Sequence, residues 1–240
     1  MKKLLLPFCA LLCFTQSSLA ANDISTLGDL TQAEFRILSE DLGSALSYKP
    51  VTPAEPLGVS GFDVGLVVSS TDMKRSSQAL SKSSNNGSSI RNLYVPKLQI
   101  AKGLPFNLDI AAFYSSIPST NIKLFGAELR YAILAGGVAT PAVAIRGSYT
   151  KLSGVAQLAF DTKGLDVSIS KGFALFTPYA GIGRVWTSST PNVAGLAAES
   201  FSQGKVFGGI NMNFGLTNFA LELDKTGSAN SYSAKLGFRF

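Results

Sequence analysis

The chain has 240 residues, 46% of them hydrophobic and 15% charged, with a formal net charge of +6. It holds no histidine, and its two cysteines, Cys9 and Cys13, both fall within the first twenty residues. Beyond that stretch Ser-His triads, Cys-His pairs, thiolate metal sites and disulfides are excluded together.

Met1-Lys2-Lys3, an apolar run from Leu4 to Phe14, and Ser18 and Ala20 at cleavage spacing predict a secretory signal peptide over 1–20. Neither cysteine follows the small residue that lipid attachment requires, since Phe8 and Leu12 precede them. Cleavage removes Lys2 and Lys3 and lowers the net charge from +6 to +4. Residues 21–57 carry six acids against Arg36 and Lys49, a net of −4, which leaves +8 on the rest. An acidic leader on a basic body predicts that one docks on the other. Nucleic acid is not an expected partner, because no Lys/Arg cluster is interleaved with stacking aromatics.

The leader reads as one helix. Thr31-Gln-Ala-Glu34 is a capping box, Leu30 and Phe35 can staple the first turn, and Phe35, Leu38, Leu42 and Ala45 share one helical face. Pro50 stops the helix near Tyr48, and Pro50, Pro53 and Pro56 make an extended linker. Two placements are open: the helix covers the periplasmic mouth or an apolar patch of the body, or it enters the lumen as a plug or gate.

From Gly58 the hydrophobic period changes to two, the signature of half-buried strands. Ten strands are predicted near 58–69, 90–102, 106–115, 121–134, 141–152, 159–172, 177–188, 204–214, 217–225 and 229–240. Each is long enough for a tilted crossing of a bilayer, and no second apolar stretch approaches the length of a membrane helix. The two longest connections, 70–89 and 189–203, fall on one side, and short turns fall on the other. The fold class is therefore an antiparallel up-and-down transmembrane β-barrel with an N-terminal amphipathic helix, organised as signal 1–20, leader 21–57 and barrel 58–240. An even strand number with short turns inside puts both termini on the short-turn, periplasmic side.

Leu66, Ile110, Leu129, Ile145, Val167, Leu221 and Leu236 are expected to face lipid. The opposite parity carries Asp63, Lys97, Asp109, Glu128, Arg130, Arg146, Asp166, Glu222, Asp224, Lys235 and Arg239, six acids among five bases. A lumen charge network explains that mixture better than acid–base catalysis, because buried charge needs partners. The faces of Tyr179 to Trp186 are not assigned, since Arg184 shares parity with Ile182 and Trp186. Tyr114, Tyr149, Trp186, Phe106, Phe176 and Phe214 suit a water–lipid boundary. Ser76–Ser89 reads as a solvated loop tip with a turn at Asn86-Gly87, and Gly181 and Gly183 as curvature or close packing against a plug.

The last nine residues alternate Tyr232, Ala234, Leu236, Phe238 and Phe240 against Ser233, Lys235, Gly237 and Arg239. With the signal peptide and Pro178-Tyr-Ala-Gly-Ile-Gly183, this terminal strand resembles that of small Gram-negative outer-membrane β-barrel proteins. The resemblance covers 58–240 at the level of architecture. It implies an outer-membrane location, outer-membrane lipid as surroundings, and a barrel assembly machinery that reads Tyr232, Phe238 and Phe240. The leader departs from the simplest members, and the histidine used by barrel enzymes of that class is missing, so no enzyme and no cofactor are expected. Three roles remain: a narrow pore for small solutes gated by the helix, a non-conducting structural or surface-interaction barrel, and a secreted soluble barrel holding an apolar ligand. Oligomeric state is not legible.

Overall fold

A computed structural model describes residues 26–82, 91–116 and 122–240. The expected signal peptide and the Asn86-Gly87 turn lie outside the described residues.

The chain forms a closed, antiparallel ten-stranded barrel. Its strands are β1 (Phe62–Asp72), β2 (Asn92–Leu104), β3 (Leu108–Ser116), β4 (Lys123–Ala135), β5 (Ala142–Ser153), β6 (Leu158–Ser170), β7 (Phe176–Pro191), β8 (Glu199–Phe214), β9 (Thr217–Thr226) and β10 (Ala229–Arg239). Each strand pairs with its neighbour in sequence, and β1 pairs with β10 from Asp63 opposite Arg239 to Thr71 opposite Ser231. Closure removes both sheet edges, so every strand has a partner on each side. β4 carries a bulge at Ile133, where the register with β5 shifts between Ala132 and Leu134.

The ten strands stand where the alternation puts them, with two differences in extent. β1 starts at Phe62 rather than Gly58, because Gly58 takes φ +75° in a turn that Gly61 closes by donating to its carbonyl. β7 and β8 extend past the expected ends and pair up to Ser189 opposite Glu199, which shortens their connection to 192–198. Polar residues such as Ser188, Ser189 and Ser200 blur the period there, since both faces of that extension meet water or polar neighbours.

All seven residues expected to face lipid point outward, and most are largely exposed: Leu66 is 61% exposed and Leu129 53%. Together with Leu98, Ile182, Val206 and Leu223 they form an apolar belt around the barrel. Soluble proteins rarely expose a contiguous apolar patch above a few hundred Å², so the belt is a lipid-facing surface. Aromatic side chains edge it, with Tyr94, Tyr114, Tyr149, Trp186 and Tyr232 toward the long-loop end and Phe106, Phe176, Phe214 and Phe238 toward the short-turn end. Among the described residues no helix is long and apolar enough to cross a membrane; the strands make the crossing.

The interior is filled. A helix, α1 (Gln32–Leu46), touches β1, β2, β6, β7 and β10, strands on all sides of the barrel, and therefore lies within it. A second helix, α2 (Ser77–Lys82), forms inside the first long connection and buries Ala79 and Leu80. That corrects the expectation of a solvated loop over its first part: α1 supplies an apolar surface for two residues that the serine-rich sequence hides.

Candidate functional site

The distinctive site is the occupied lumen. Its upper part, toward the long loops, is apolar. Phe35 and Leu38 are 0% exposed, and with Leu42, Ala45 and Leu46 they pack on Phe113, Leu124, Leu152, Leu158 and Phe160 of the wall. Each such side chain contributes about 1.5–3 kcal/mol relative to exposure to water. The predicted capping box is present: Thr31 Oγ1 accepts from the Glu34 amide, and Glu34 accepts from the Thr31 amide at 2.9 Å. Lys82 of α2 also donates to Glu34. That bond, then those from Thr31, pull the Glu34 carboxyl down from 4.5 to about 2. Burial pushes the Asp41 carboxyl up, against two hydrogen bonds from Ser76.

At Gly43 α1 lies close against the wall. A Cβ there would lie 2.7 Å from Thr187 Oγ1, so a side chain at this position requires Thr187 or the helix to shift. Ser39 and Ser189 share a 2.8 Å hydrogen bond one turn higher. The helix therefore descends along β7 with its N-terminus up. At its tip, Gln32 donates to Ala197 O at 3.2 Å and Leu27 donates to Gln157 Oε1 at 2.9 Å, both between long-loop-side strand ends. Thr26 donates to Lys82 O at 2.8 Å.

The linker continues the descent, and its backbone is held by inward side chains. Lys205 donates to Tyr48 O (2.8 Å), Lys97 to Lys49 O (3.2 Å), Gln99 to Pro50 O (2.9 Å) and Arg130 to Pro53 O (2.6 Å). In return Val51 N donates to Glu222 (3.0 Å), Ala54 N to Ser170 (3.1 Å) and Leu57 N to Asp109 (3.1 Å). Three prolines make this work. Each fixes its own φ and removes an amide that would otherwise need an acceptor, and the chain bends among them, with Val51 at φ +47°. Small wall residues give it room, Ala132, Ala142 and Ala144 around Ala54, and Val67 and Ala220 around Val51.

The charges on the inward parity are buried, Arg239 only partly, and most of them stand in ion pairs. Arg130 Nε and Nη2 both reach Asp109 Oδ2, at 3.0 and 2.5 Å. Lys235 pairs with Asp63. Arg146 stands 3.3 Å from both Glu128 and Asp166, within ion-pair reach but with its N–H groups out of line for hydrogen bonds. Asp224 takes Lys49 at 2.5 Å and Lys205 at 3.5 Å, and Glu222 accepts from Tyr179 at 3.1 Å. Lys97 sits 4.8 Å above the Phe113 ring. Arg239, at the short-turn end, is not among the ion pairs, though it stands opposite Asp63 in the β1–β10 register.

Sequence reasoning missed Lys205, Lys49, Gln99 and Tyr179. Lys205 was readable, because the parity of Asn211 and Asn213 on β8 extends back to it. Lys49 was not, because its partner Asp224 lies 175 residues away. Arg184 faces outward with Ile182 and Trp186, and its strand was unreadable because Gly181 and Gly183 blank the inward parity. Those glycines pack on the wall, not on the plug: a Cβ at Gly181 would lie 2.3 Å from the Phe207 ring, and one at Gly183 2.4 Å from Leu165 O.

The expectation that both termini share the short-turn side is corrected for the described leader. Thr26 to Leu30 lie at the long-loop end, whereas Phe240 pairs with Phe62 at the opposite end. An apolar helical stripe has no end-to-end polarity that sequence could have shown.

No protein-family model matches the chain, and no curated protein matches it in sequence. Solved structures similar to it include the N-terminal β-barrel domain of Pseudomonas aeruginosa OprF (13% identity, TM-score 0.39, 76% of this chain and 99% of that one). The translocator domain of autotransporter NalP from Neisseria meningitidis matches at 11% identity and TM-score 0.40, over 85% of this chain and 94% of that one. Ail, the attachment invasion locus protein of Yersinia pestis, matches at 10% identity and TM-score 0.30, over 75% and 99%. These neighbours are Gram-negative outer-membrane barrels, and the likeness is one of barrel architecture.

Proposed function

We propose that the chain is an integral outer-membrane barrel, closed at rest by its own leader, that acts as a structural or surface-interaction element rather than as a standing pore. The apolar belt supports the membrane placement, and it counts against a soluble barrel, whose apolar face would be inside. The observation that carries closure is the lumen itself: α1 fills its upper half and the linker 47–57 is tied to the wall along the lower half. Partners on nearly every inward acid support a non-catalytic reading.

A gated pore is the second reading, and one observation favours it. The linker is held mostly by polar contacts, which water can replace. Conductance of the purified chain in planar bilayers separates the two. The intact protein is expected to be silent. Steady ionic current from it overturns the closed-barrel reading. Current bursts that vanish when Ser39→Cys and Ser189→Cys are oxidised to a disulfide, pinning α1 to β7, establish the gated pore instead.

A further inference from the structure

One side of the barrel exterior carries cations at the long-loop edge of the belt. Outward Lys163 on β6 lies directly opposite Tyr149 on β5 and Trp186 on β7. Arg184, one outward position below Trp186, is opposite Leu165 and Gly204, which makes it a diagonal neighbour of Lys163. Lys151 on β5 is the other diagonal neighbour, and it faces Asp161. Diagonal pairs stand about 7–8 Å apart, within reach of long side chains. Three cations against one carboxylate leave the patch positive.

Snorkelling explains a lone lysine at a membrane boundary. It does not explain this group. Arg184 has Ile182 directly below it in the belt and turns up on the β8 side, so it and Lys163 stand on either side of Trp186, and neither has a carboxylate directly opposite it. The exterior cations at the short-turn edge behave differently. Lys102 donates to the carbonyls of Val59 and Gly61, and Lys171 to those of Gly137, Val138 and Thr140. Among the described residues Lys151 and Lys163 have no such acceptor, and Arg184 reaches only Ser202 Oγ at 3.5 Å. Two outward glycines, Gly147 and Gly204, flank the Leu165–Arg184 row, and the space above each is open. They leave two separate shallow recesses, one at Gly147 beside Leu165 and below Tyr149, the other at Gly204 beside Arg184.

We propose that this face of β5–β7 binds the phosphate of an anionic lipid. Lys163 and Arg184 hold the phosphate, Lys151 adds charge, Tyr149 and Trp186 flank the headgroup, and an acyl chain lies in the recess at Gly147 beside Leu165. The occupant is a lipid and not a soluble anion because the cations sit at the aromatic row, where headgroups lie, with the recess on the hydrocarbon side. The proposal rests on the membrane placement argued above.

Trp186 is the single tryptophan of the chain, and it stands beside Lys163, so its fluorescence reports the site. The protein is inserted in phosphatidylcholine vesicles and titrated with bis-phosphorylated lipid A, with dephosphorylated lipid A, and with inorganic phosphate. A saturable emission change with the phosphorylated lipid alone is expected. Lys163→Gln with Arg184→Gln should weaken it about tenfold or more, the weight of two interfacial cations on an anionic lipid. Removing an arginine from a lipid-facing position does not hinder insertion, so the variant remains interpretable. Lys225→Gln, an outward cation on β9, should leave the titration unchanged. An equal response to the dephosphorylated lipid, or to inorganic phosphate, overturns the proposal, as does an unaltered response in the double variant or an equal loss in Lys225→Gln. Failure to insert at all sinks the membrane reading itself, whereas insertion without selectivity sinks only the lipid site.

Discussion

Arg130 concentrates what the lumen asks of a single side chain. It is 1% exposed, reaches Asp109 through two nitrogens and turns the third to Pro53 O, tying wall to wall and wall to linker. Arg130→Met is expected to destabilise the folded protein by about 3–5 kcal/mol, because it strands a buried carboxylate. The double change with Asp109→Asn should recover part of that, since no charge is then left behind. Urea unfolding of the detergent-refolded protein measures both. A loss below about 1 kcal/mol, the worth of an exposed pair such as Lys74–Asp72, would mean that water reaches the lumen at this depth.

At the scale of elements, α1 is joined to the long-loop end by its cap, and the cap titrates. The Glu34 carboxyl is held at about 2 in the folded protein against 4.5 ordinarily, first by Lys82 and then by Thr31. A depressed carboxylate gives its stability above the unfolded value and loses it as pH falls through the folded one. Docking of α1 should therefore weaken between about pH 4.5 and 2. Asp41 acts in the opposite sense, because burial raises its carboxyl and acid relieves that cost. Amide exchange across 32–46 as a function of pH is the measurement. Glu34→Gln should flatten the slope in that window, and a slope identical to the parent's would remove Glu34 from the docking. The cap, the apolar face and the ten strands were legible because each rests on local spacing. What was not legible depends on partners far along the chain. Lys49 needs Asp224, the six-residue α2 needs the surface of α1, and the extension of β7 and β8 needs each strand to show where the other continues.

At the scale of the whole molecule, the leader's direction is the feature that orients everything else. Its described start stands with the long loops, and the last residue stands with the short turns. No cysteine follows residue 20, so single cysteines report cleanly. With a membrane-impermeant thiol reagent on intact cells, Asp29→Cys and Ala194→Cys should label together, and Leu216→Cys, in the turn between β8 and β9, should stay unlabelled until the membrane is opened. Labelling of Asp29→Cys in company with Leu216→Cys would reverse the leader. The acidic leader and the basic body, a contrast visible in composition alone, meet in space through the pairs Lys49–Asp224 and Arg36–Glu199. Those two use a base of the leader and an acid of the body, whereas Glu34–Lys82 and Glu40–Arg75 join leader acids to body bases as the net charges lead one to expect.

The seam between β1 and β10 gives the filled lumen a meaning for assembly order. It turns the strands into a ring, and the chain's own tail is drawn through that ring, with residues 26–31 beyond one rim and Phe62 at the other. A ring already packed with a fifteen-residue helix and its linker has no gap through which that helix could later be threaded. The strands are expected to curl around the leader as around a mandrel, with the seam sealed last; a barrel refolded without residues 21–57 should then fail to take up the leader added as a peptide, and uptake would overturn that order.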